Sequence, residues 1–298
     1  MHKIRLAENF RAVFYAPFYA TLALGFAARE GVEVTLVNSA TPGAGTMSLM
    51  DGSIDVTWGG PMRVMKARDE AGGPPLVCFC EVVRRDPFYL VMRPDAAPFA
   101  LGDLARLRLG SVSEVPTPWL CLQHDLREIG LDPARVNRIA DRTMVDNLAA
   151  LGRGDIDIAQ MFEPFASMAE RQGIGKIVHA ASARGETSYT TLLATRDGMV
   201  RNREAFAALA RAAGHMQGWL AQHSAADLAE AVASYFTQVE RADLVTAFQR
   251  YQAAQLWSRG GTAVSRAGFA RLAASLESGG FIARQPAYED CVADALLS

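Results

Sequence analysis

Residues Val37 to Met62 read VNSATPGAGTMSLMDGSIDVTWGGPM, and their punctuation decides the fold class. The alternation Val32, Val34, Leu36 predicts a strand running into this stretch. Pro42-Gly43-Ala44-Gly45-Thr46 predicts a tight turn, followed by a short helix to Asp51. Gly52 stops that helix, Ile54 to Trp58 reads as the next strand, and Gly59-Gly60-Pro61 opens another helix with proline in its first turn. Strand, glycine turn and helix, repeated, define an α/β chain. Ligands of open α/β sheets lie beyond the carboxyl ends of the strands, so the loops Ala40–Thr46 and Trp58–Met62 are expected to share a crevice. Unpaired N–H groups at helix starts would suit a polar or anionic group there, while the same glycines serve equally to turn the chain.

With 298 residues, half of them hydrophobic, the chain can bury the cores of two lobes. Its 30 Lys+Arg against 32 Asp+Glu, without a basic stripe, exclude nucleic acid and an anionic membrane surface as expected partners and leave small ligands or proteins. The four cysteines are too few for a disulfide scaffold. Cys78 and Cys80, two apart in a β-type run, are expected on one strand face as core thiols and not as metal or redox groups. No metal or cofactor is expected from the histidines either: His124 lies three residues from Cys121 with no third ligand in view. Met1-His2-Lys3 leads straight into a strand with no apolar leader, and no stretch is long enough to span a bilayer. That reading is cytoplasmic as written, and periplasmic if a signal peptide has been trimmed.

Working outward, Ile4–Ala7 is a strand, and Pro17 starts a helix expected to run to Glu30, leaving Phe10 and Tyr15 in the preceding loop. Those two rings are candidates for stacking on a ligand or for anchoring the loop to the core. Strands are expected at Leu76–Val83 and Phe88–Met92, then a linker over Arg93–Pro98 into a second lobe. The second lobe echoes the first: Asp51-Gly52-Ser53-Ile54-Asp55-Val56 matches Arg153-Gly154-Asp155-Ile156-Asp157-Ile158, and Gly60-Pro61 matches Glu163-Pro164. A strand at Tyr189–Ala194 is expected to return to lobe one, making Met92–Asp95 and Ser188–Ala194 a two-strand hinge. Helices follow to the end, with Ser224 and Ser265 as N-caps. The expected division is 1–93 and 188–298 for lobe one and 94–187 for lobe two.

The ordered set of Ala16-Pro17-Phe18-Tyr19, Ala28-Arg29-Glu30-Gly31-Val32-Glu33-Val34, the paired Gly-Ser-Ile-Asp and Gly-Asp-Ile-Asp segments, Gly59-Gly60-Pro61 and Phe162-Glu163-Pro164 resembles the periplasmic-binding-protein-like (type II) superfamily, in its NMT1/THI5-like and SsuA/NrtA/TauA-like branch. The resemblance implies two doubly wound α/β sheets joined by a two-strand hinge, C-terminal helices packed on lobe one, and a small ligand clamped between the lobes for an ABC transporter permease. It implies ligand contacts at Phe10, Tyr15, Thr41, Gly43, Gly45, Trp58, Gly59, Ser113, Thr117, Trp119, Phe162 and Glu163. Ligands of the branch include sulfonates, nitrate, bicarbonate and pyrimidine precursors of thiamine. The rings in that set, with Glu163 as a hydrogen-bond acceptor, favour a heteroaromatic ligand such as a thiamine-pyrimidine precursor. Tyr15 and Trp58 would stack on it, while the Thr41–Thr46 and Ser113–Thr117 turns donate hydrogen bonds. Arg11, Arg63 and Arg85 could each reach an anionic ligand, and are weighed against that as solvated charges.

Enzymes of the branch use a histidine and a cysteine-rich, iron-associated motif. Here Met62, Arg63 and Val64 follow Gly59-Gly60-Pro61 with no histidine, and Cys78-Phe79-Cys80 lacks clustered neighbours. The reading is therefore binding without catalysis. Its alternative is a cytoplasmic enzyme or sensor on the same scaffold.

Overall fold

The computed structural model describes residues 1–298 apart from Ala40, Pro42, Ala96 and Ser298. Ten strands form two five-stranded mixed sheets. The first holds β1 (His2–Glu8), β2 (Val32–Asn38), β3 (Val56–Gly59) and β4 (Leu76–Val83), and the second holds β5 (Tyr89–Met92), β6 (Arg108–Val112), β7 (Asn137–Arg142), β8 (Ile158–Met161) and β9 (Lys176–Ala180). The last strand, β10 (Thr190–Thr195), returns to the first sheet. The strand orders β2-β1-β3-β10-β4 and β7-β6-β8-β5-β9 share one plan. Four strands are mutually parallel in each, and the fourth place in the order is taken by an antiparallel strand arriving from the other lobe.

The sequence echo is a structural brace. In lobe one Asp55 Oδ2 accepts from Arg5 N at 2.8 Å, its Oδ1 accepts from Arg5 Nη2 at 2.9 Å, and Asp55 N donates to Arg5 O at 2.9 Å. In lobe two Asp157 and Arg108 repeat these contacts at 2.8, 2.7 and 3.0 Å. Each arginine also donates to the carbonyl of the glycine that ends the preceding helix, Gly52 or Gly154, at 2.8 Å. The aspartate thus fixes the register of the third strand against the first. Asp157→Asn is expected to cost about 1 kcal/mol at neutral pH, because the pair is partly exposed and screened. Hydrogen bonds from Arg108 hold the Asp157 carboxyl below the usual carboxylate range. Its contribution is therefore present above the unfolded value near 3.9 and lost as pH falls through the folded one. Urea unfolding at neutral pH and below about pH 3 checks this, since the variant and the parent should converge in acid.

The lobe boundary differs from expectation. Tyr89–Met92 lies inside the second sheet, between β8 and β9, so residues 84–88 cross between lobes and the first lobe ends before 93. Residues 181–189 carry the chain back. Arg184 of the return crossing pairs with Asp86 of the outward one at 2.5 Å and with Asp125 of the helix Thr117–Glu128, and all three side chains are buried. The helix expected from Pro17 to Glu30 is split, because Gly25 takes φ +72° between Ala16–Ala23 and Phe26–Arg29. The last helix, expected over Tyr288–Leu297, ends at Cys291, where Val292 turns extended and bridges to Cys78 on the outer edge of β4. That bridge, with Val83 to Trp257, covers an edge that would otherwise expose unpaired backbone.

Cys78 and Cys80 are both fully buried, but they do not share a face: Cys80 is a bulged residue at φ +53°, and the two belong to different core clusters. Ser224 and Ser265 cap their helices, accepting from Asp227 N at 3.2 Å and Gly268 N at 3.0 Å. Helices Arg203–Leu220 and Ala225–Val232 pack on lobe one, whereas Arg241–Ala253 and Arg266–Ser278 also reach lobe two, the latter against Thr117–Glu128. Among the described residues no helix is long and apolar enough to cross a membrane.

Candidate functional site

The carboxyl ends of β1 and β3 face those of β6 and β8 across the line where the lobes meet. Asn9, Phe10 and Tyr15 follow β1, Gly60, Met62 and Arg63 follow β3, Val115, Pro116 and Thr117 follow β6, and Phe88 and Tyr189 come from the crossings. Together they enclose a cleft of about 30 Å³, room for roughly one water molecule.

Arg63 is its charged feature. The side chain is partly buried and folds back over the Gly43 turn, so closely that a Cβ on Gly43 would lie 2.4 Å from Nη1. Gly43 also holds φ +94°, and it is this left-handed backbone that requires glycine, since the arginine tip could move aside. Asn9 Oδ1 joins the two, accepting from Gly43 N at 2.9 Å and from Arg63 Nη2 at 3.4 Å. Burial pushes the guanidinium's pKa down, against a smaller opposing pull from Tyr15, and among the described residues no carboxylate pairs with it. Beside it, the Tyr15 hydroxyl is pushed up to about 12 by burial. The Tyr189 hydroxyl is buried with no hydrogen-bond partner among the described residues. A partly desolvated cation and an orphaned hydroxyl in one cleft call for an acceptor that the protein does not supply.

On the far side of Phe10 the interlobe space widens into a second cavity of about 470 Å³. Phe10 stands between the two spaces, its ring stacked on Phe162 at 6.2 Å and edge-on to Tyr15 at 5.4 Å.

Of the residues expected at the site, Phe10, Tyr15 and Thr117 line the narrow cleft, and Phe162 lines the wider cavity with Phe10. Several of the others have structural work instead. Trp58 is 1% exposed in the lobe-one core, stacked on Phe18 at 4.8 Å, and lines neither space. Trp119 lies under the guanidinium of Arg138, 4.6 Å from its ring centre, away from both spaces. Gly45 and Gly59 admit close packing, since a Cβ would approach Thr57 Oγ1 at 2.9 Å and Leu193 Cδ1 at 3.2 Å respectively. Thr41 and Ser113 are exposed. Ala40 and Pro42 of the same turn lie outside the described residues. The turn's N–H groups at Gly43, Ala44 and Thr46 already donate within the protein, and Ser113 N donates to Arg142 O at 3.0 Å.

Glu163 is fully buried and directly precedes Pro164, the N-cap of the helix Phe165–Arg171. Its Oε2 accepts from Ser167 N at 2.9 Å and its Oε1 pairs with Arg250 at 3.2 Å, so both oxygens are engaged. Burial raises its pKa despite those partners. Arg11 is paired with Glu8 at 2.7 Å. Among the described residues no three His, Cys, Asp or Glu side chains gather as a metal site requires.

Asn9, Arg63 and Tyr189 were not among the expected site residues. A signal for Arg63 was present: it sits in the first turn of the helix Met62–Asp69, where a cation opposes the helix dipole. A charge in the disfavoured place asks for a reason.

Two lobes of one strand order, crossed twice by the chain and meeting over a cleft, constitute the periplasmic-binding-protein fold. The chain belongs to the NMT1/THI5-like family, whose profile matches residues 13–225. It is 28% identical over 253 residues to "Putative binding protein YtlA" of Bacillus subtilis (strain 168), covering 84% of this chain and 75% of that protein. It superposes on the periplasmic aliphatic sulphonate binding protein SsuA from Escherichia coli with TM-score 0.74 and 16% identity, over 98% and 97% of the two chains. The zinc-bound ligand-binding component of an ABC-type import system from Staphylococcus aureus superposes with TM-score 0.77 and 14% identity, over 100% and 98%.

Proposed function

We propose that this protein is a solute-binding protein of an ABC-type uptake system, and that its interlobe cleft closes on a small organic anion. Family membership and the likeness to SsuA and to the Staphylococcus aureus import component support the binding role. The observation that carries the anion is Arg63, a partly buried cation lining the cleft with no carboxylate partner among the described residues. A carboxylate or sulfonate would pair with it and take a hydrogen bond from the Tyr189 hydroxyl, which has no partner among the described residues. The rings of Phe10 and Tyr15 offer apolar faces to an organic body.

A neutral aminopyrimidine, the form of a thiamine precursor, would need an acceptor. The carboxylate expected to provide one, Glu163, is engaged by Ser167 and Arg250. Anions therefore rank ahead of neutral heterocycles. Ligand contacts to both lobes would favour the closed arrangement over the open one, which would in turn be read by a permease.

The test is a thermal-shift and calorimetric screen with carboxylates, sulfonates, nitrate, bicarbonate and aminopyrimidines. An organic anion should raise Tm, since it binds only the folded state, and should be recovered unchanged. An aminopyrimidine as the sole binder would overturn the anion assignment, and consumption of the bound compound would overturn the transport role. Tyr189→Phe, which keeps the ring, is expected to weaken the identified anion roughly tenfold by removing one hydrogen bond to charge; calorimetry checks this, and unchanged affinity would take Tyr189 out of the site.

A further inference from the structure

Resting on the anion reading, we infer that Asn9 sets the charge of the site: it positions the Arg63 guanidinium in the cleft and, being neutral, leaves that charge uncompensated for the ligand. Topology gives it the place to do so. In the first sheet β1 lies between β2 and β3, and the three run parallel. Asn9 directly follows β1, so it reaches the turn after β2 on one side and the helix start after β3 on the other. The residue is 7% exposed. The Gly43 N–H and the Arg63 guanidinium donate to the same atom, at 2.9 and 3.4 Å, and two donors facing one atom assign it as the amide oxygen. The Tyr15 hydroxyl also meets this side chain. Glu8, next to Asn9 in the chain, is taken up by Arg11 at 2.7 Å and by the Tyr19 hydroxyl, so it does not neutralise Arg63.

The second lobe does the same tethering with an acid. There β6 lies between β7 and β8, and in the loop after β6 Glu114 Oε1 accepts at 2.9 Å from the N–H of Met144, which opens the helix Met144–Arg153 after β7. A carboxylate suits that work, because the positive end of a helix dipole favours an anion. What differs between the lobes is the helix after the third strand. With Pro61 matched to Pro164, Arg63 falls where the second lobe has Ala166. The lobe without a cation thus holds its turn by a carboxylate, and the lobe with the cation holds its turn by a neutral amide. Asn9→Asp would keep the acceptor for Gly43 N and would also pair with Arg63. That internal pair would cancel the charge and occupy the donors that a ligand needs. Asn9 is therefore a positioning residue that acts through Arg63, and its lack of charge is what makes the cleft prefer anions to neutral compounds.

The experiment is calorimetric titration of the whole protein with probes that differ only in charge: hexanoate and hexanesulfonate, each against its neutral amide. The parent should prefer an anion to its amide by about tenfold or more. Asn9→Asp should weaken the anion by about tenfold or more and leave the amide within about threefold, so that the preference disappears. Its Tm without ligand should not fall below the parent's. Adding Arg63→Gln should then lower Tm by several degrees more than the same change does in the parent, because it strands the new carboxylate. Asn9→Ala removes the tether without adding charge and serves if the aspartate variant does not fold. It too should weaken the anion more than the amide, by about threefold or more. Equal weakening of anion and amide in either variant would overturn the inference and make Asn9 a support of the Gly43 turn alone. Unchanged anion affinity in a folded Asn9→Asp would overturn it as well. A parent that binds neither anion would instead remove the anion reading on which it rests.

Discussion

Arg184→Met is expected to destabilise the protein by about 3–5 kcal/mol, the cost typical of leaving buried charge without its partner. Arg184 lies between two acids, Asp86 on the outward crossing and Asp125 on the helix Thr117–Glu128, with all three side chains buried. It donates to Asp125 through Nε at 3.0 Å, and also through Nη2, and to Asp86 through Nη1 at 2.5 Å. Methionine replaces the volume but strands two carboxylates where one cation stood. Burial already pushes the Asp86 carboxyl above its ordinary range even with the arginine present, and the arginine's pull is what opposes it. Without that pull the acid in the folded protein takes up a proton more readily still.

The sign then follows. A carboxyl raised on folding contributes stability that is fully present below its unfolded value and is lost as pH rises through its folded one. The deficit of Arg184→Met, measured by urea unfolding, should therefore be largest at neutral pH and shrink toward about pH 4. Adding Asp86→Asn should recover part of the loss, because one stranded charge is gone. A deficit below about 1 kcal/mol at neutral pH would mean that the crossings are held by packing alone.

Much of the fold was legible because its signals are local. Glycine and proline mark the ends of helices, serine marks two of their starts, and the run Leu76–Val83 is apolar but for the buried Glu81 because both faces of β4 are covered. The repeated Gly-x-Ile-Asp carries its own meaning, since the aspartate must reach back to an arginine about fifty residues earlier in each lobe. Which sheet Tyr89–Met92 joins was not legible, because strand pairing is non-local and an apolar tetrapeptide serves either sheet equally well. The proline-rich stretch at Arg93–Pro98 marks a loop, and a loop need not be a lobe boundary.

The site was less legible for a related reason. Trp58 ends a strand at the expected sheet edge, but strand alternation turns its ring beneath Phe18 and Tyr19 into the lobe core. Sequence gives the edge of the sheet and not the side that helices cover. Glu163 sits at a helix start, and there the helix's own N–H groups and Arg250 claim its carboxylate. Arg63 went the other way. Arginine is most often solvated, and only the packing of Gly43, Asn9 and Met62 around it reveals a cation withdrawn from water without a counter-ion.

That position makes Arg63→Gln the most informative substitution for function, because binding and stability should move in opposite directions. Glutamine is shorter and neutral, but the Gly43 turn keeps its own hydrogen bond to Asn9 Oδ1 and should hold. What disappears is the charge. An organic anion that pairs with the guanidinium should bind at least a hundredfold more weakly, about 2.7 kcal/mol or more, the range for truncating one partner of a desolvated charge pair. The ligand-free variant should be at least as stable as the parent, since desolvation already works against the charged group and no protein carboxylate repays it. A residue kept for the fold would show the reverse, a lower Tm with affinity intact once folded. Calorimetry for the anion, paired with urea unfolding of the empty protein, separates the two cases. Loss of affinity with unchanged or raised stability is the signature of a charge retained for its ligand, whereas loss of both would make Arg63 part of the scaffold around Gly43.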